Sequence, residues 1–170
     1  LDRYEDWVTR LDQAMSRCED DIRRQELAIE IGLVEFSKLR RIERAEAAMR
    51  RVIEELDPVN PQALQVLDDI YRQTDQTELL VDVLRVRADV LVEDDERIRV
   101  KLRLAELLIA ADQLQEAMVT YEETVELEPS TAEALNALEE IYEHKEMWNE
   151  LLDTLHKQTH VVEAGASQAV

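Results

Sequence analysis

The sequence is poor in the residues that interrupt helices. Its 170 residues include 2 glycines and 3 prolines, and tight turns depend on these two residue types. Alanine, leucine, glutamate, arginine and glutamine are abundant, and all of them favour helices. Apolar residues make up 45% of the chain, too large a share for a disordered acidic segment. The composition therefore predicts an all-helical protein with a packed core.

The same scarcity excludes several kinds of catalytic site. With Gly32 and Gly165 as the only glycines, neither a phosphate-binding loop nor a dinucleotide-binding fingerprint can form. The single cysteine, Cys18, cannot form an internal disulfide. It is also remote in sequence from the histidines, and no serine has the context of a nucleophile elbow. We expect no catalytic residues, no cofactor and no enzyme activity.

Two histidines raise the question of a metal site. His156 and His160 stand four residues apart on the predicted last helix, a spacing that could bring two imidazoles to one ion. His144 and Glu143 precede them on the neighbouring helix, but no third ligand has a clearly suitable placement. Two exposed histidines on a terminal helix are the simpler interpretation, and we expect no metal site.

Basic residues and long apolar runs are also in short supply. The chain has 20 basic and 40 acidic residues, giving a net charge of −20, which argues against binding nucleic acid or an anionic membrane. No apolar run reaches the roughly 18 residues of a membrane span, and no signal peptide opens the sequence. We therefore expect a cytoplasmic protein. Because the pattern opens in mid-helix without a methionine, we also expect a fragment of a longer chain.

The basic residues that are present form one local run. It consists of Lys38, Arg40, Arg41, Arg44, Arg50 and Arg51. Acidic residues are interspersed, so an ordinary solvated helix face is the simpler interpretation. The alternative is a contact for an acidic partner or for a neighbouring copy.

Part of the sequence repeats itself 71 positions later. The recurring residues are Leu56, Pro58, Ala63, Leu64, Leu67, Ile70, Tyr71, Leu80, Asp82 and Leu84, which return as Leu127, Pro129, Ala134, Leu135, Leu138, Ile141, Tyr142, Leu151, Asp153 and Leu155. A fixed period indicates stacked structural units. Stacked units favour a long exposed binding surface over a pocket.

Helix breaks are marked by the prolines. Pro58, Pro61 and Pro129 cannot continue a helix, and segments 57–61 and 128–131 supply polar side chains for the following N-caps. Short polar turns between the apolar stripes predict antiparallel hairpins. The predicted helices lie near 2–17, 21–37, 41–56, 61–74, 77–91, 96–111, 114–127, 131–145 and 147–161.

Segment 98–131 resembles a tetratricopeptide repeat, a 34-residue helix hairpin with the pattern W-x2-L-G-x2-Y, A-x3-F and P. The matching residues, at the matching spacings, are Leu104, Ala105, Leu108, Ala117, Tyr121 and Pro129. Small residues at Ala105 and Ala117 would let the two helices approach, while larger ones fill the space between hairpins. Segments 61–95 and 132–163 match less fully, because leucine replaces the small alanine of the second helix.

Segment 22–60 departs most from the pattern. Its tyrosine slot falls on Glu35, and the distance from Ala45 to Pro58 is one residue longer than that from Ala117 to Pro129. We expect a longer hairpin or a shifted helix there. HEAT-type arrays, whose repeats have only a weakly defined sequence pattern, remain an alternative.

The resemblance implies an all-α fold, a right-handed superhelical stack of antiparallel helix hairpins forming an α-solenoid of about nine helices. We expect one domain over residues 1–163 and a flexible tail over 164–170. Trp7 heads the first helix as Trp148 heads the last, so residues 1–17 are expected to be half of a unit. The expected units are 1–17, 22–60, 61–95, 96–131 and 132–163.

In this family, partner peptides usually lie along the concave face that the first helices of successive hairpins form. The equivalent residues here are Gln62, Gln65, Asp69, Arg72, Arg99, Leu102, Glu106, Asn136, Glu140 and His144. Some relatives clamp a carboxylate on this face, but Asp69, Glu106 and Glu140 would repel one. The resemblance thus implies a basic or polar protein or peptide partner, with an ordinary solvated face as the alternative.

Two functions are compatible with this sequence. The first is a non-catalytic scaffold for protein–protein interaction. The second is a structural spacer or self-assembly segment of a larger protein. Apolar residues on the terminal helices, such as Tyr4 and Trp7, predict possible self-association through residues 1–17 or 147–163.

Overall fold

Helices account for nearly all of the structure. The computed structural model describes the backbone of residues 2–168 and the side chains of residues 2–159. The helices are α1 (Asp2–Ser16), α2 (Asp21–Val34), α3 (Ile42–Arg51), α4 (Pro61–Gln73), α5 (Thr77–Val90), α6 (Asp94–Ala110), α7 (Leu114–Leu127), α8 (Ala132–His144) and α9 (Trp148–Gln168). No strand occurs within residues 2–168. The predicted all-α fold is confirmed.

The helices form two compact units, Leu1–Val90 and Leu91–Val170. In the first unit each helix from α1 to α5 packs on the next, and in the second unit α6 to α9 do the same. This serial packing is what antiparallel hairpins produce. The single domain over residues 1–163, its repeat boundaries and the flexible tail stay predictions.

Two π-helical turns extend α2 and α3. They cover Glu35–Leu39 and Val52–Leu56, and π turns accommodate an inserted residue within a helix. The first begins at the slot where glutamate replaces the expected tyrosine. The second lies within the stretch between Ala45 and Pro58, which is one residue too long. The irregularity expected in segment 22–60 therefore takes the form of two π-helical turns, one at the end of each helix of the hairpin.

The turn inside each hairpin has a left-handed residue instead of glycine. Arg40, Asp75, Asp112 and Glu146 have φ between 55° and 60°. After Arg40 the Arg41 N–H bonds to the Glu35 carbonyl six positions earlier, at the end of the first π turn. After Asp75, Asp112 and Glu146 the next residue donates its N–H to the carbonyl five positions earlier, as Gln113 does to Leu108 at 2.8 Å. This bond closes the end of the first helix in the manner of a Schellman motif. Glycine scarcity therefore did not prevent tight hairpins.

Three helix termini can be compared with the predicted ones: the starts of α4 and α8 and the end of α9. The Asn60 side chain accepts from the Ala63 N–H at 3.0 Å, so segment 57–61 caps α4 as predicted. Thr131 instead donates its hydroxyl to the Glu128 carbonyl, so the predicted side-chain cap of α8 is wrong. Helix α9 continues through Gly165 beyond the predicted end at residue 161, because one glycine weakens a helix without ending it.

Candidate partner-binding surface

The predicted site residues lie on three first helices. Gln62, Gln65, Asp69 and Arg72 are on α4, in the first unit, and we call them the α4 patch. The remaining residues are in the second unit and form the α6/α8 patch: Arg99, Leu102, Glu106, Asn136, Glu140 and His144. All are exposed except Asp69 and Leu102, which are half-buried.

The α4 patch is largely neutralised by its own contacts. Arg72 forms an ion pair with Asp69. The Gln65 amide donates to the other oxygen of Asp69 at 3.3 Å. Because this carboxylate already has a cation and an amide, it has little uncompensated charge to offer a partner. Gln62 is exposed at the start of the helix.

The α6/α8 patch retains its acidic charge. Glu106 and Glu140 are exposed, and neither forms an ion pair within the described part of the chain. Leu102 packs against the core of the second unit, which provides an apolar edge to the patch. Leu102 stands one turn before Glu106 on α6, and an unpaired carboxylate with an apolar neighbour suits a cationic side chain with an aliphatic stem.

Tyr121 lies within electrostatic range of both carboxylates. Its ring belongs to the buried core of the second unit. Burial raises the pKa of the Tyr121 hydroxyl, and the charges of Glu106 on α6 and Glu140 on α8 raise it further. Both carboxylates must therefore lie within electrostatic range of the same hydroxyl. Of the predicted residues, these two therefore act on one shared neighbour.

Two of the predicted site residues, Gln65 and Asn136, each accept a hydrogen bond from the second helix of their own hairpin. Arg87 on α5 donates to Gln65 and forms a buried ion pair with Asp68. At the same places 71 residues later, Gln158 on α9 donates to Asn136 at 3.1 Å and to Glu139 at 3.0 Å. Gln65 and Asn136 therefore brace their hairpins. Sequence reasoning missed this role, although the repeat aligns all three members of each set.

Two buried tyrosines link successive hairpins within the units. Tyr142 on α8 donates to Glu122 on α7 at 2.7 Å, and both burial and this bond place the pKa of Tyr142 well above its usual value. Burial and the nearby Glu46 raise the pKa of Tyr71 to about 12. These tyrosines fill the repeat slots as packing residues, which is the role the resemblance implied.

Four residues of the basic run, Arg41, Arg44, Arg50 and Arg51, form ion pairs with neighbouring acids. Arg44 Nη1 lies 3.1 Å from an oxygen of the fully buried Glu35, and Arg41 pairs with Glu5 on α1. Further along, Arg50 and Arg51 each pair with an acid one turn ahead, in helical i,i+4 pairs. This arrangement favours the interpretation of a self-compensated surface over an anion-binding one.

Two features are absent from the described residues, a metal-ligand cluster and a membrane-spanning helix. Within the described residues, no group of three or more His, Cys, Asp or Glu side chains could hold a metal ion. The side chain of His160 lies outside the described ones. Among these residues there is also no helix long and apolar enough to cross a membrane. The cytoplasmic location stays a prediction.

Solved structures with similar folds extend over nearly the whole chain. MamA from strain AMB-1 is 22% identical with a TM-score of 0.59, covering 95% of this chain and 84% of that one. MamA from strain MSR-1 is 23% identical with a TM-score of 0.54, covering 96% and 89%. A protein described as a kinesin light chain of Podospora anserina, with nearly identical TPR-like repeats, is 16% identical with a TM-score of 0.52, covering 95% and 88%.

These likenesses establish the fold. The chain has a tetratricopeptide-like helical-repeat fold, as the resemblance of segment 98–131 implied. No protein-family model matches the sequence, and no curated protein matches it. At these identities the neighbours say nothing about which partner this chain binds.

Proposed function

We propose that this protein is a non-catalytic scaffold for protein–protein interaction. The fold supports this proposal, because helical-repeat proteins use extended exposed helix faces to bind other chains. The polar first helices α4, α6 and α8 provide such faces. Two of the buried polar side chains, Arg87 and Tyr142, hold neighbouring helices together.

The partner that we propose is a basic or polar peptide or protein segment bound on the first-helix faces. The observation that carries this proposal is the pair of exposed, unpaired carboxylates Glu106 and Glu140, on α6 and α8 of the same unit and both within electrostatic range of Tyr121. Attraction to a cationic segment would raise the association rate and weaken with salt. Screening reduces such attraction beyond about 8–10 Å near physiological ionic strength. The α4 patch of the first unit, taken by itself, would attract such a segment less, because Arg72 already neutralises Asp69.

The test compares two double variants of equal charge. Glu106→Lys with Glu140→Lys reverses the α6/α8 patch, whereas Glu126→Lys with Asp153→Lys reverses exposed acids on the second helices α7 and α9. Binding of a partner captured by the wild-type protein, and of an arginine-rich peptide, is measured by titration at low and high salt. We expect the first variant to lower affinity about tenfold or more at low salt, and the control to change it little. Equal effects of the two variants would contradict the proposed site.

Self-assembly is a second proposed function, supported by exposed aromatic residues on α1. Tyr4 and Trp7 are 43% and 44% exposed, and such apolar surface often marks a contact. We expect Tyr4→Ser with Trp7→Ser to lower the average mass in sedimentation equilibrium at high concentration. Strictly monomeric wild-type protein would contradict self-assembly without affecting the scaffold proposal.

A further inference from the structure

Tyr121 on α7 is a buried tyrosine whose hydroxyl has no hydrogen-bond partner among the described residues. Its side chain is only 4% exposed, and its ring packs with Ala105 of α6 and Leu138 of α8. The hydroxyl oxygen is not one of the fully enclosed polar atoms that lack a partner, so it reaches the surface. Because a buried tyrosine hydroxyl usually has a partner, this one is available to a group from another molecule.

Tyr142 shows how such a hydroxyl is satisfied inside this chain. It lies in the same cluster as Tyr121 and donates its hydroxyl to Glu122 at 2.7 Å. Around Tyr121, by contrast, the carboxylates of Glu106 and Glu140 act through their charge alone. The Tyr121 hydroxyl therefore has two carboxylates in its surroundings, neither of them bonded to it.

The charge of these two carboxylates defines the kind of group that would fit. Glu106 on α6 and Glu140 on α8 are exposed, and neither forms an ion pair within the described part of the chain. Like charges near one site favour an added cation. Two carboxylates and a phenol oxygen are also three acceptors, and they suit a positive group that carries several N–H donors.

Apolar side chains at the edge of this place can hold an aliphatic stem. Leu102 stands one turn before Glu106 on α6, and Ala137 stands one turn before Glu140 on α8. Both are half-buried and pack against the cluster that contains Tyr121. Arginine and lysine lay their stems along such apolar surface while the charged head stays in water. We call these five residues the Tyr121 site.

We propose that the Tyr121 site binds one arginine side chain of the basic partner, with the guanidinium against Glu106, Glu140 and the Tyr121 hydroxyl. The stem would lie on Leu102 and Ala137. This inference rests on the proposed function and adds the residue that the site recognises. A guanidinium presents five N–H donors in a planar fork, whereas a lysine ammonium presents three from one point. Because neither carboxylate is bonded to the hydroxyl, the acceptors stand apart, and the broader fork reaches them better.

The probes are two peptides of equal length and charge, one rich in arginine and one with lysine at each of those positions. Titration at low salt gives their affinities for the full chain. Tyr121→Phe keeps the ring and both carboxylates and removes only the phenol acceptor. We expect wild-type protein to bind the arginine peptide more tightly. Tyr121→Phe should lower that affinity about 3- to 10-fold, as expected for loss of one hydrogen bond, and lower the lysine affinity by less than about twofold.

Tyr142→Phe is the matched control, because it removes a hydroxyl from the same cluster. That hydroxyl is bonded to Glu122, so its loss should lower the urea midpoint and leave the difference between the two peptides unchanged. Tyr121→Phe should instead leave the urea midpoint unchanged, since its hydroxyl has no partner to lose among the described residues. This crossed pattern separates a binding role of the Tyr121 hydroxyl from a structural one.

The proposal is overturned if the lysine peptide binds wild-type protein as tightly as the arginine peptide. It is also overturned if Tyr121→Phe leaves the arginine affinity unchanged, or lowers both affinities equally. In either case the acidic site can still stand, because Glu106→Lys with Glu140→Lys tests it independently of the hydroxyl. If that double variant and its control, Glu126→Lys with Asp153→Lys, lower binding equally, the proposed function itself fails. The two failures are therefore distinguishable.

Discussion

Gly32 is the position where one added methyl group tests the packing of the first unit most sharply. A β-carbon built on Gly32 would lie 2.6 Å from Met49 Cε and 3.2 Å from both Met49 Cγ and Sδ. The methionine tip could turn away, but Met49 is fully buried, so its inner atoms would have to shift within a filled core. Overpacking of this kind costs about 1–3 kcal/mol.

An opposing effect comes from the helix itself. Replacing glycine by alanine inside a helix is favourable by about 1 kcal/mol, and Gly32 lies within α2. Combining the two, we expect Gly32→Ala to lower the free energy of unfolding of the first unit by about 1 kcal/mol. Urea unfolding followed by Trp7 fluorescence, in a Trp148→Phe background, reports on that unit.

The Met49→Ala background reverses the expected sign. With the methionine removed, the new methyl group has space, and Gly32→Ala should then raise the free energy of unfolding by about 1 kcal/mol through helix propensity. Equal destabilisation in both backgrounds would refute the reasoning, because the loss would not come from the contact with Met49.

Three further perturbations follow from named contacts. Ala117→Phe should lower stability by about 1–3 kcal/mol, because Ala117 is fully buried at a helix crossing; an unchanged thermal midpoint would contradict the repeat register. Glu146→Gly should raise stability by about 0.5–1 kcal/mol in urea unfolding, because φ at this residue is 56° and glycine adopts that conformation without strain; a loss of stability would contradict this. The raised pKa of Tyr71, about 12, is above the value near 10 of an unfolded tyrosine. The stability it contributes should be complete below pH 10 and be lost as pH rises from 10 towards 12, a loss that Tyr71→Phe should reduce in pH-dependent unfolding.

The repeat and the helix pattern were predictable because they depend on local signals. Apolar residues at helical spacing, the prolines and the small residue at Ala117 each act through a few neighbouring positions. The same holds for Asn60, whose side chain caps the helix that begins at the next residue. Such features are legible in one sequence because tertiary contacts are not needed to identify them.

The details that escaped prediction depend on contacts between helices. The glutamate in the tyrosine slot at Glu35 and the one-residue excess between Ala45 and Pro58 signalled an irregularity, but the sequence did not show that each would take the form of a π turn. The predicted side-chain cap of α8 was wrong because the Thr131 hydroxyl donates to the Glu128 carbonyl instead of accepting from the helix. Spacing likewise placed Gln65 and Asn136 on a binding face, but only the packed hairpins reveal the donors that hold them.

The most direct test of the account maps a cationic segment on the protein itself. Backbone amide shifts are measured by NMR while an arginine-rich peptide is titrated at low salt. We predict that the largest saturable changes surround Leu102, Glu106 and Glu140 on α6 and α8, that smaller ones occur near Asp69 on α4, and that all of them diminish with salt. Changes concentrated on the second helices α5, α7 and α9, or changes that are indifferent to salt, would contradict binding on the first-helix faces.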